Sequence, residues 1–188
     1  MPSNFYDKVA KKFGDYHTFH HEHTTEYPNG DPEKVFKEKL LELANKNKIA
    51  LDVGCADGYF TLLVAPYFKK IIAIDLSKGM LKSAVNLKKE KGIANVSFEY
   101  QDAQKITYKD LSFDVVYNRR GPQDFPQFFR VLKNGGYYIE IRIGENDTRT
   151  LKEVFGRGQG YGQWQSVLKE DTARLGRSGF KIIYVRES

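Results

Sequence analysis

The stretch DVGCADG at residues 52–58 decides the fold of this 188-residue chain. It follows an apolar run at residues 49–51 and precedes an amphipathic segment at residues 59–68. A second apolar run at residues 71–74 then ends in Asp75. This order of strand, glycine turn, helix, strand and acidic residue is typical of the nucleotide-binding half of an open α/β sheet. The sequence therefore predicts a ligand site at the turn.

The details of the turn predict an adenosine ligand other than a dinucleotide. Asp75 is placed to accept both ribose hydroxyls, and Gly54 and Gly58 would let the backbone approach a ligand with no Cβ in the way. The dinucleotide pattern Gly-x-Gly-x-x-Gly would need a glycine at the position of Tyr59. Asp52, at the mouth of the turn, would repel a pyrophosphate, which prefers bare N–H donors at a helix N-terminus. A ligand that carries an ammonium and a sulfonium group suits this carboxylate better.

The segment LDVGCADG closely resembles the first motif of class I S-adenosylmethionine (SAM)-dependent methyltransferases, with Ala56 in place of the middle glycine. Four more segments resemble later motifs of this family in the expected order: residues 74–77 (IDLS), 98–103 (FEYQDA), 112–118 (SFDVVYN) and 130–137 (RVLKNGGY). The last of them resembles the small type 11 methyltransferases. The resemblance extends over roughly residues 35–185.

The resemblance implies an α/β fold with a doubly wound, mostly parallel Rossmann-like sheet. We expect one domain over residues 1–188, with residues 1–30 as an N-terminal helix and lid and residues 31–188 as the core. Only Arg186-Glu187-Ser188 follow the apolar run at residues 180–185, so we expect six strands without the family's usual seventh. The fifth strand, at residues 137–143, would pair with residues 180–185 or keep an open edge. Such an edge could form a homodimer.

The resemblance also implies SAM as the cofactor and a set of residues that bind it. Asp75 would hold the ribose, Leu76 would lie against the adenine, and Asp102 with Ala103 would meet the adenine amino group. The complete expected set is Asp52, Gly54, Cys55, Ala56, Gly58, Asp75, Leu76, Met80, Asp102, Ala103, Gln104 and Asn118.

The predicted end of the fourth strand is unusual and bears on the methyl acceptor. Residues 118–122 read NRRGP, whereas DNA and protein amino-methyltransferases often carry Asn/Asp-Pro-Pro-Tyr there, so the sequence argues against amino chemistry of that kind. Arg119 and Arg120 could clamp an anionic acceptor by forked hydrogen bonds. Alternatively, one of them packs against Asp102 or Asp114 and the other faces water.

The N-terminal stretch contains all four histidines of the chain: His17, His20, His21 and His23. A histidine could serve as a general base, because its reference pKa lies near working pH. The alternatives are a polar lid and a metal site; no matching cysteine or second cluster supports a metal, and we predict none. The candidate catalytic residues are His17, His20, His21, Asn118 and Arg119.

Composition narrows the class of protein. The net charge of +6 could favour RNA by counterion release, but the lysines are scattered over the polar faces of predicted helices. The sequence contains no run of 18 apolar residues, so it predicts no membrane span. The N-terminus lacks the pattern of a secretory signal. The single cysteine, Cys55, suits a reducing compartment, so we expect a cytoplasmic protein.

Together these observations predict a SAM-dependent methyltransferase that acts on a small-molecule acceptor, which could be anionic. An RNA methyltransferase is the first alternative. A non-catalytic protein that keeps the SAM fold for binding is the second, although the complete set of cofactor motifs argues against it.

Overall fold

The computed structural model describes residues 3–13, 27, 30–158, 161–162 and 165–187. The chain divides into two compact units, one that extends to residue 141 and one over residues 142–187. Within the described residues, no helix has the length and apolar character that a membrane crossing requires.

The first unit contains the sheet and most of the helices. Its elements in chain order are α1 (Ser3–Phe13), α2 (Pro32–Leu43), β1 (Ile49–Val53), α3 (Tyr59–Val64), β2 (Lys70–Asp75), α4 (Lys78–Glu90), β3 (Val96–Tyr100), β4 (Phe113–Arg119), α5 (Phe125–Val131) and β5 (Leu132–Ile141). Two short 3₁₀ turns, Ala65–Tyr67 and Ala103–Lys105, follow α3 and β3.

All five strands are parallel and lie in the order β3-β2-β1-β4-β5. The central strands β1 and β4 are almost entirely buried, as expected where helices cover both faces of a parallel sheet. The strand order reverses between β1 and β4, and a ligand crevice forms at such a switch point, outside the carboxyl ends of the strands. The predicted doubly wound α/β fold is confirmed.

Capping side chains fix the start of two helices. Pro32 opens α2, and the side chain of Asp31 accepts a hydrogen bond from the Glu33 N–H at 2.9 Å. Ser77 begins α4 in the same way, because its Oγ accepts from the Met80 N–H at 3.1 Å. A cap of this type stabilises a helix by about 1 kcal/mol. The second of these caps fixes the start of α4 directly after Asp75.

The structure corrects the predicted number of strands. The sheet has five strands, and residues 180–187 contain no strand among the described residues. A β-strand needs a neighbouring strand to complete its backbone hydrogen bonds. An apolar sequence alone does not provide that neighbouring strand. β5 is thus an edge strand of the described sheet, in line with the open-edge alternative and with its partly exposed side chains.

The second unit contains two helices, α6 (Arg149–Phe155) and α7 (Val167–Arg177). Asp171 of α7 is buried and pairs with Arg142 at 2.6 Å and with Arg174 at 3.3 Å. The pair with Arg142 ties α7 to the segment that precedes α6.

Candidate functional site

The glycine turn between β1 and α3 has a left-handed backbone at three positions. Gly54, Ala56 and Gly58 all have positive φ, at 75°, 48° and 72°. The N–H groups of Gly54 and Cys55 both donate to the carbonyl of Ile74, at 2.9 and 3.1 Å, which ties the turn to the end of β2. Ala56 adopts a left-handed conformation that costs a residue with a Cβ about 1–2 kcal/mol.

The two glycines also serve the packing of the chain itself, and their expected role in approaching a ligand stays a prediction. A Cβ on Gly58 would lie 2.5 Å from the ring of Phe98 and 2.9 Å from the Cβ of Ala84. A Cβ on Gly54 would lie 3.1 Å from the Cα of Gly121 in the loop after β4. Glycine at these positions therefore permits close contact with β3, α4 and the loop after β4.

Asp75 lies at the end of β2 with both carboxylate oxygens bound to backbone. One oxygen accepts from the Ala56 N–H at 2.9 Å and the other from the Ser77 N–H at 2.8 Å. Burial raises the pKa of Asp75, and these backbone hydrogen bonds oppose the shift. Each oxygen has a second lone pair, so the carboxylate can still accept hydrogen bonds from two neighbouring hydroxyls.

Asp52 lies beneath the turn, not at its mouth as expected, and only 3% of its surface is exposed. Burial raises its pKa to about 6, although the hydrogen bond from Thr61, the nearby Tyr117 hydroxyl and the charge of Arg119 oppose the shift. The Thr61 hydroxyl donates to Asp52 at 2.6 Å. A carboxylate that burial destabilises in this way is complemented by a positive charge placed above the turn.

Tyr117 adds an unusual hydroxyl to this buried cluster. It pairs in register with Asp52 on the adjacent strand, so both side chains lie on the same face of the sheet. Among the described residues its hydroxyl has no hydrogen-bond partner of acceptable geometry. Burial raises the pKa of Tyr117 well above its ordinary value, and the nearby charge of Asp52 adds to the effect. The Tyr117 hydroxyl is therefore close to Asp52 without a well-formed bond to it.

The other predicted cofactor residues divide between exposed and buried positions. Asp102 begins the 3₁₀ turn by accepting from the Gln104 N–H at 2.9 Å, and Leu76 is 37% exposed directly after Asp75. Met80, Ala103 and Cys55 are buried, so their side chains pack beneath the surface of the site. Burial also raises the pKa of the Cys55 thiol well above its ordinary value.

Asn118, at the end of β4, uses its side chain to shape the loop that follows. Its Oδ1 accepts from the Gly121 N–H at 2.7 Å, and its Nδ2 donates to the carbonyl of Pro122 at 2.8 Å. Arg120 within this loop has a φ of 59°. Asn118 therefore holds the loop against the glycine turn.

Arg119 and Arg120 are both directed at Glu33 of α2, whereas the sequence suggested Asp102 or Asp114 as a structural partner. Arg119 Nε lies 3.6 Å from a carboxylate oxygen of Glu33, and Arg120 forms a closer ion pair with the other oxygen. The Arg119 guanidinium also lies 4.8 Å from the ring centroid of Phe60. The single carboxylate of Glu33 therefore lies beside both guanidinium groups.

Sequence reasoning missed a second polar group at this carboxyl edge of the sheet. An oxygen of Glu140 on β5 accepts from the Tyr138 hydroxyl at 2.9 Å and from Gln123 Nε2 at 2.8 Å. Glu140 pairs in register with Asn118. The strand pattern places Tyr138 and Glu140 on one face, but it carries no signal for Gln123, which lies in the loop after β4.

Sequence reasoning also missed the contact that holds α1 against the start of α4. Asp7 of α1 accepts from the Ser77 hydroxyl at 2.7 Å and from the Gly79 N–H at 3.0 Å. These bonds lower the pKa of Asp7. A Cβ on Gly79 would lie 2.9 Å from the Cβ of Ala10, so a glycine here allows α1 to pack on the first turn of α4.

The predicted histidines His17, His20, His21 and His23 lie outside the described residues. Within the described part of the chain, no group of three or more His, Cys, Asp or Glu side chains could hold a metal ion.

Comparisons with known proteins agree with this geometry. Residues 44–172 match the family described as "Methyltransferase domain". The "Uncharacterized methyltransferase YcgJ" of Bacillus subtilis is 30% identical over 124 residues, which are 58% of this chain and 49% of that protein. "Phosphoethanolamine N-methyltransferase 3" of Arabidopsis thaliana is 36% identical over 109 residues, which are 52% of this chain and 21% of that protein.

A solved structure extends the likeness to most of the fold. The structure of "a SAM dependent methyltransferase from Aquifex aeolicus" has a TM-score of 0.65 and 22% identity, and covers 84% of this chain and 83% of that one. This chain spans about half the length of the Bacillus relative, or 49%. The matching family, the glycine turn and the carboxylate at the end of β2 together show that the chain belongs to the class I SAM-dependent methyltransferases.

Proposed function

We propose that this chain transfers a methyl group from SAM to a small-molecule acceptor at the carboxyl ends of β4 and β5. The observation that carries the proposal is the pair of carboxylates at the ends of adjacent strands. Asp75 is oriented by two backbone N–H groups, and Asp52 is buried beneath the turn with a raised pKa. The first suits the hydroxyls of a ribose, and the second suits a cationic ligand.

The residues of the cofactor side fit SAM in three respects. Asp75 keeps lone pairs for two ribose hydroxyls, and the exposed Leu76 offers an apolar surface beside it. Asp102 has a carboxylate that could accept from an adenine amino group. SAM is a cation at its sulfonium and ammonium groups, and a positive charge above Asp52 would compensate the destabilised carboxylate.

When bound, SAM supplies an electrophilic methyl carbon, so the protein mainly binds, orients and excludes water. Asn118 holds the loop after β4 against the glycine turn, which keeps the ends of β1 and β4 close together. Asp7 holds α1 over the start of α4. We propose that these contacts fix the cofactor and the acceptor side by side, which lowers the entropic part of the barrier.

We also propose that the acceptor is anionic, provided that it can displace Glu33 from the two arginines. Arg119 and Arg120 both pair with Glu33, so a carboxylate or phosphate of the acceptor would have to replace Glu33 as their partner. The Arabidopsis relative is named for phosphoethanolamine, which contains both a phosphate and an amine. That name supports a small polar acceptor. We keep His17, His20 and His21 as proposed acceptor contacts.

RNA is the second candidate acceptor, because the net charge of +6 favours phosphate backbones. A salt titration separates the two: several specific phosphate contacts give a steep decrease of affinity with salt. A homodimer through the edge of β5 and a single domain over residues 1–188 also remain proposals.

The experiment that tests the function combines binding with turnover. Calorimetry should detect binding of SAM and of S-adenosylhomocysteine, and a metabolite screen with SAM should find an acceptor that yields S-adenosylhomocysteine. Binding of NAD in place of both nucleosides would contradict the proposal. Cofactor binding without turnover of any metabolite or RNA would favour a non-catalytic binding protein.

A further inference from the structure

The acceptor side of the sheet contains a polar cluster that the cofactor does not need. It consists of Glu140 and Tyr138 on β5 and Gln123 in the loop after β4. One oxygen of Glu140 accepts from Tyr138 at 2.9 Å and from Gln123 at 2.8 Å. All three side chains are partly buried. We call these three residues the Glu140 cluster.

The cluster lies at the edge of the sheet where the proposed function places the acceptor. Glu140 pairs in register with Asn118, and neighbouring strands lie about 4.8 Å apart. Only Ile141 follows Glu140 in β5, and Gln123 reaches Glu140 from the loop beyond β4. The carboxylate therefore lies beside the strand end that Asn118 holds against the glycine turn.

The two donors to Glu140 are held in place by their surroundings. The ring of Tyr138 packs against Phe125 and Phe128 of α5, with centroid distances of 5.8 and 5.3 Å. Gln123 directly precedes Asp124, whose side chain begins α5 by accepting from the Gln127 N–H at 3.0 Å. Hydrogen bonds to the ionised form of a carboxylate stabilise that form. Tyr138 and Gln123 thus orient the Glu140 carboxylate.

The arginines of the same strand end lie on the other side of the sheet. Successive residues of a strand point to opposite faces, so Arg119 and Asn118 differ in direction. Arg119 and Arg120 pair with Glu33 of α2, whereas Tyr138 of the Glu140 cluster packs on α5. Among the described residues, Arg119 and Arg120 therefore pair on the α2 side of the sheet, and Glu140 is held by its donors on the α5 side.

We propose that Glu140 binds an ammonium group of the methyl acceptor and thereby selects amines, with Tyr138 and Gln123 as its positioning residues. This inference rests on the proposed function, because it assumes that an acceptor binds beside the cofactor. A carboxylate makes stronger, charge-assisted hydrogen bonds to an ammonium group than to a neutral hydroxyl. It repels a carboxylate of the same skeleton, so amine, alcohol and acid are ranked in that order.

The test uses the protein saturated with S-adenosylhomocysteine and matched probes that differ in one group. Benzylamine, benzyl alcohol and benzoate form the first set, and ethanolamine, ethylene glycol and glycolate form the second. Their binding is measured by calorimetry and by ligand-detected NMR at pH 7. We expect the amines to bind and the two acids to bind at least about tenfold more weakly.

Variants assign the preference to the Glu140 cluster. Glu140→Gln keeps the shape of the side chain and should weaken amine binding about 10- to 100-fold, the range for a hydrogen bond to a charged group. Tyr138→Phe keeps the ring against α5 and should cause a smaller loss. Glu90→Gln, at the exposed end of α4, removes the same charge elsewhere and should change nothing.

Each outcome of these binding measurements either supports or contradicts the proposed role of Glu140. Loss of amine binding in Glu140→Gln, with unchanged S-adenosylhomocysteine affinity in that variant, supports the inference. Preference for the acids, equal amine binding in Glu140→Gln and wild type, or absence of amine binding to the cofactor-saturated protein overturns it. Failure of S-adenosylhomocysteine itself to bind the wild type contradicts the proposed function instead.

Discussion

The two halves of the carboxyl edge of the sheet differ in what holds their polar side chains. At the ends of β1, β2 and β3, which we call the cofactor half, carboxylates bind nearby backbone: Asp75 accepts from Ser77 N–H and Asp102 from Gln104 N–H. At the ends of β4 and β5, which we call the acceptor half, Asn118 also binds nearby backbone, but the charged side chains bind side chains distant in sequence. Arg119 pairs with Glu33, and Glu140 with Gln123.

This difference separates what the fold dictates from what one chain can vary. Backbone donors exist in any sequence that adopts the turn, so the cofactor half needs only a carboxylate in the right place. Pairs of side chains change whenever one partner changes. The acceptor half is therefore where a methyltransferase of this fold can acquire its own substrate.

The largest effect is expected where the cofactor half is packed most closely. Gly58→Ala should destabilise the fold by about 2–5 kcal/mol, from about 1–2 for the left-handed backbone and about 1–3 for the contact with Phe98. Gly92→Ala is the matched control, because Gly92 also has a positive φ but a Cβ there would meet nothing within 4 Å. Urea denaturation of both variants measures the difference, and equal losses would mean that packing at Gly58 contributes nothing.

The second prediction concerns the buried charge in the cofactor half. The pKa of Asp52 in the fold is about 6, above its value of 3.8 in the unfolded chain. The folded state therefore binds the additional proton, and stability should fall as pH rises from about 4 to about 6. Asp52→Asn should remove this slope and stabilise the protein without cofactor at pH 8 by about 3 kcal/mol, because one pKa unit corresponds to about 1.4 kcal/mol.

The same substitution should act in the opposite direction on the cofactor. If Asp52 complements a cation, Asp52→Asn should weaken SAM binding while it stabilises the fold. Denaturation curves across pH and calorimetry with SAM measure both effects. A variant that is no more stable at pH 8 than the wild type, with the slope between pH 4 and 6 unchanged, would show that Asp52 is not a destabilised charge.

In the acceptor half, Arg119→Ala should reduce turnover about tenfold or more and leave S-adenosylhomocysteine affinity nearly unchanged, because Arg119 forms its ion pair with Glu33 and not with a predicted cofactor-binding residue. Glu33→Gln is its counterpart, since it removes the negative charge that accompanies both arginines. If the acceptor is anionic, this second variant should bind it more tightly. An equal loss of turnover and cofactor affinity in Arg119→Ala would place Arg119 in the cofactor half or in the support of the fold.

The smallest effect is expected at Ala56, which occupies the position of the middle glycine with a φ of 48°. Ala56→Gly removes about 1–2 kcal/mol of left-handed strain but adds about 0.4–1 kcal/mol of unfolded-state entropy. The net result should be a gain of about 0.5–1 kcal/mol, measured by thermal and urea unfolding. Destabilisation would show that the Ala56 methyl group contributes packing that outweighs the strain.

The sequence was sufficient to predict the structural elements of the cofactor half, because these elements are contiguous in the chain. The turn, the acid at the end of β2 and the start of α4 at Ser77 each follow from a few neighbouring residues. The burial of Asp52 was not predicted, because it depends on Thr61 and Tyr117 packing around it.

The acceptor half and the last part of the chain were predicted less well, because their structure depends on distant partners. No local pattern pairs Glu33 with Arg119 or Gln123 with Glu140. The run at residues 180–185 has the composition of a strand, but composition does not provide a neighbour with free backbone groups.

Calorimetry of S-adenosylhomocysteine binding to Asp75→Ala tests the central claim most directly. Asp75 is the carboxylate that the turn and α4 orient, so its loss should weaken binding by about 1.5–3 kcal/mol, as expected for hydrogen bonds to a charged group. Asp110→Ala, at an exposed position, should bind as tightly as the wild type. Wild-type affinity in a folded Asp75→Ala variant would contradict the account, because the ribose would then lie elsewhere.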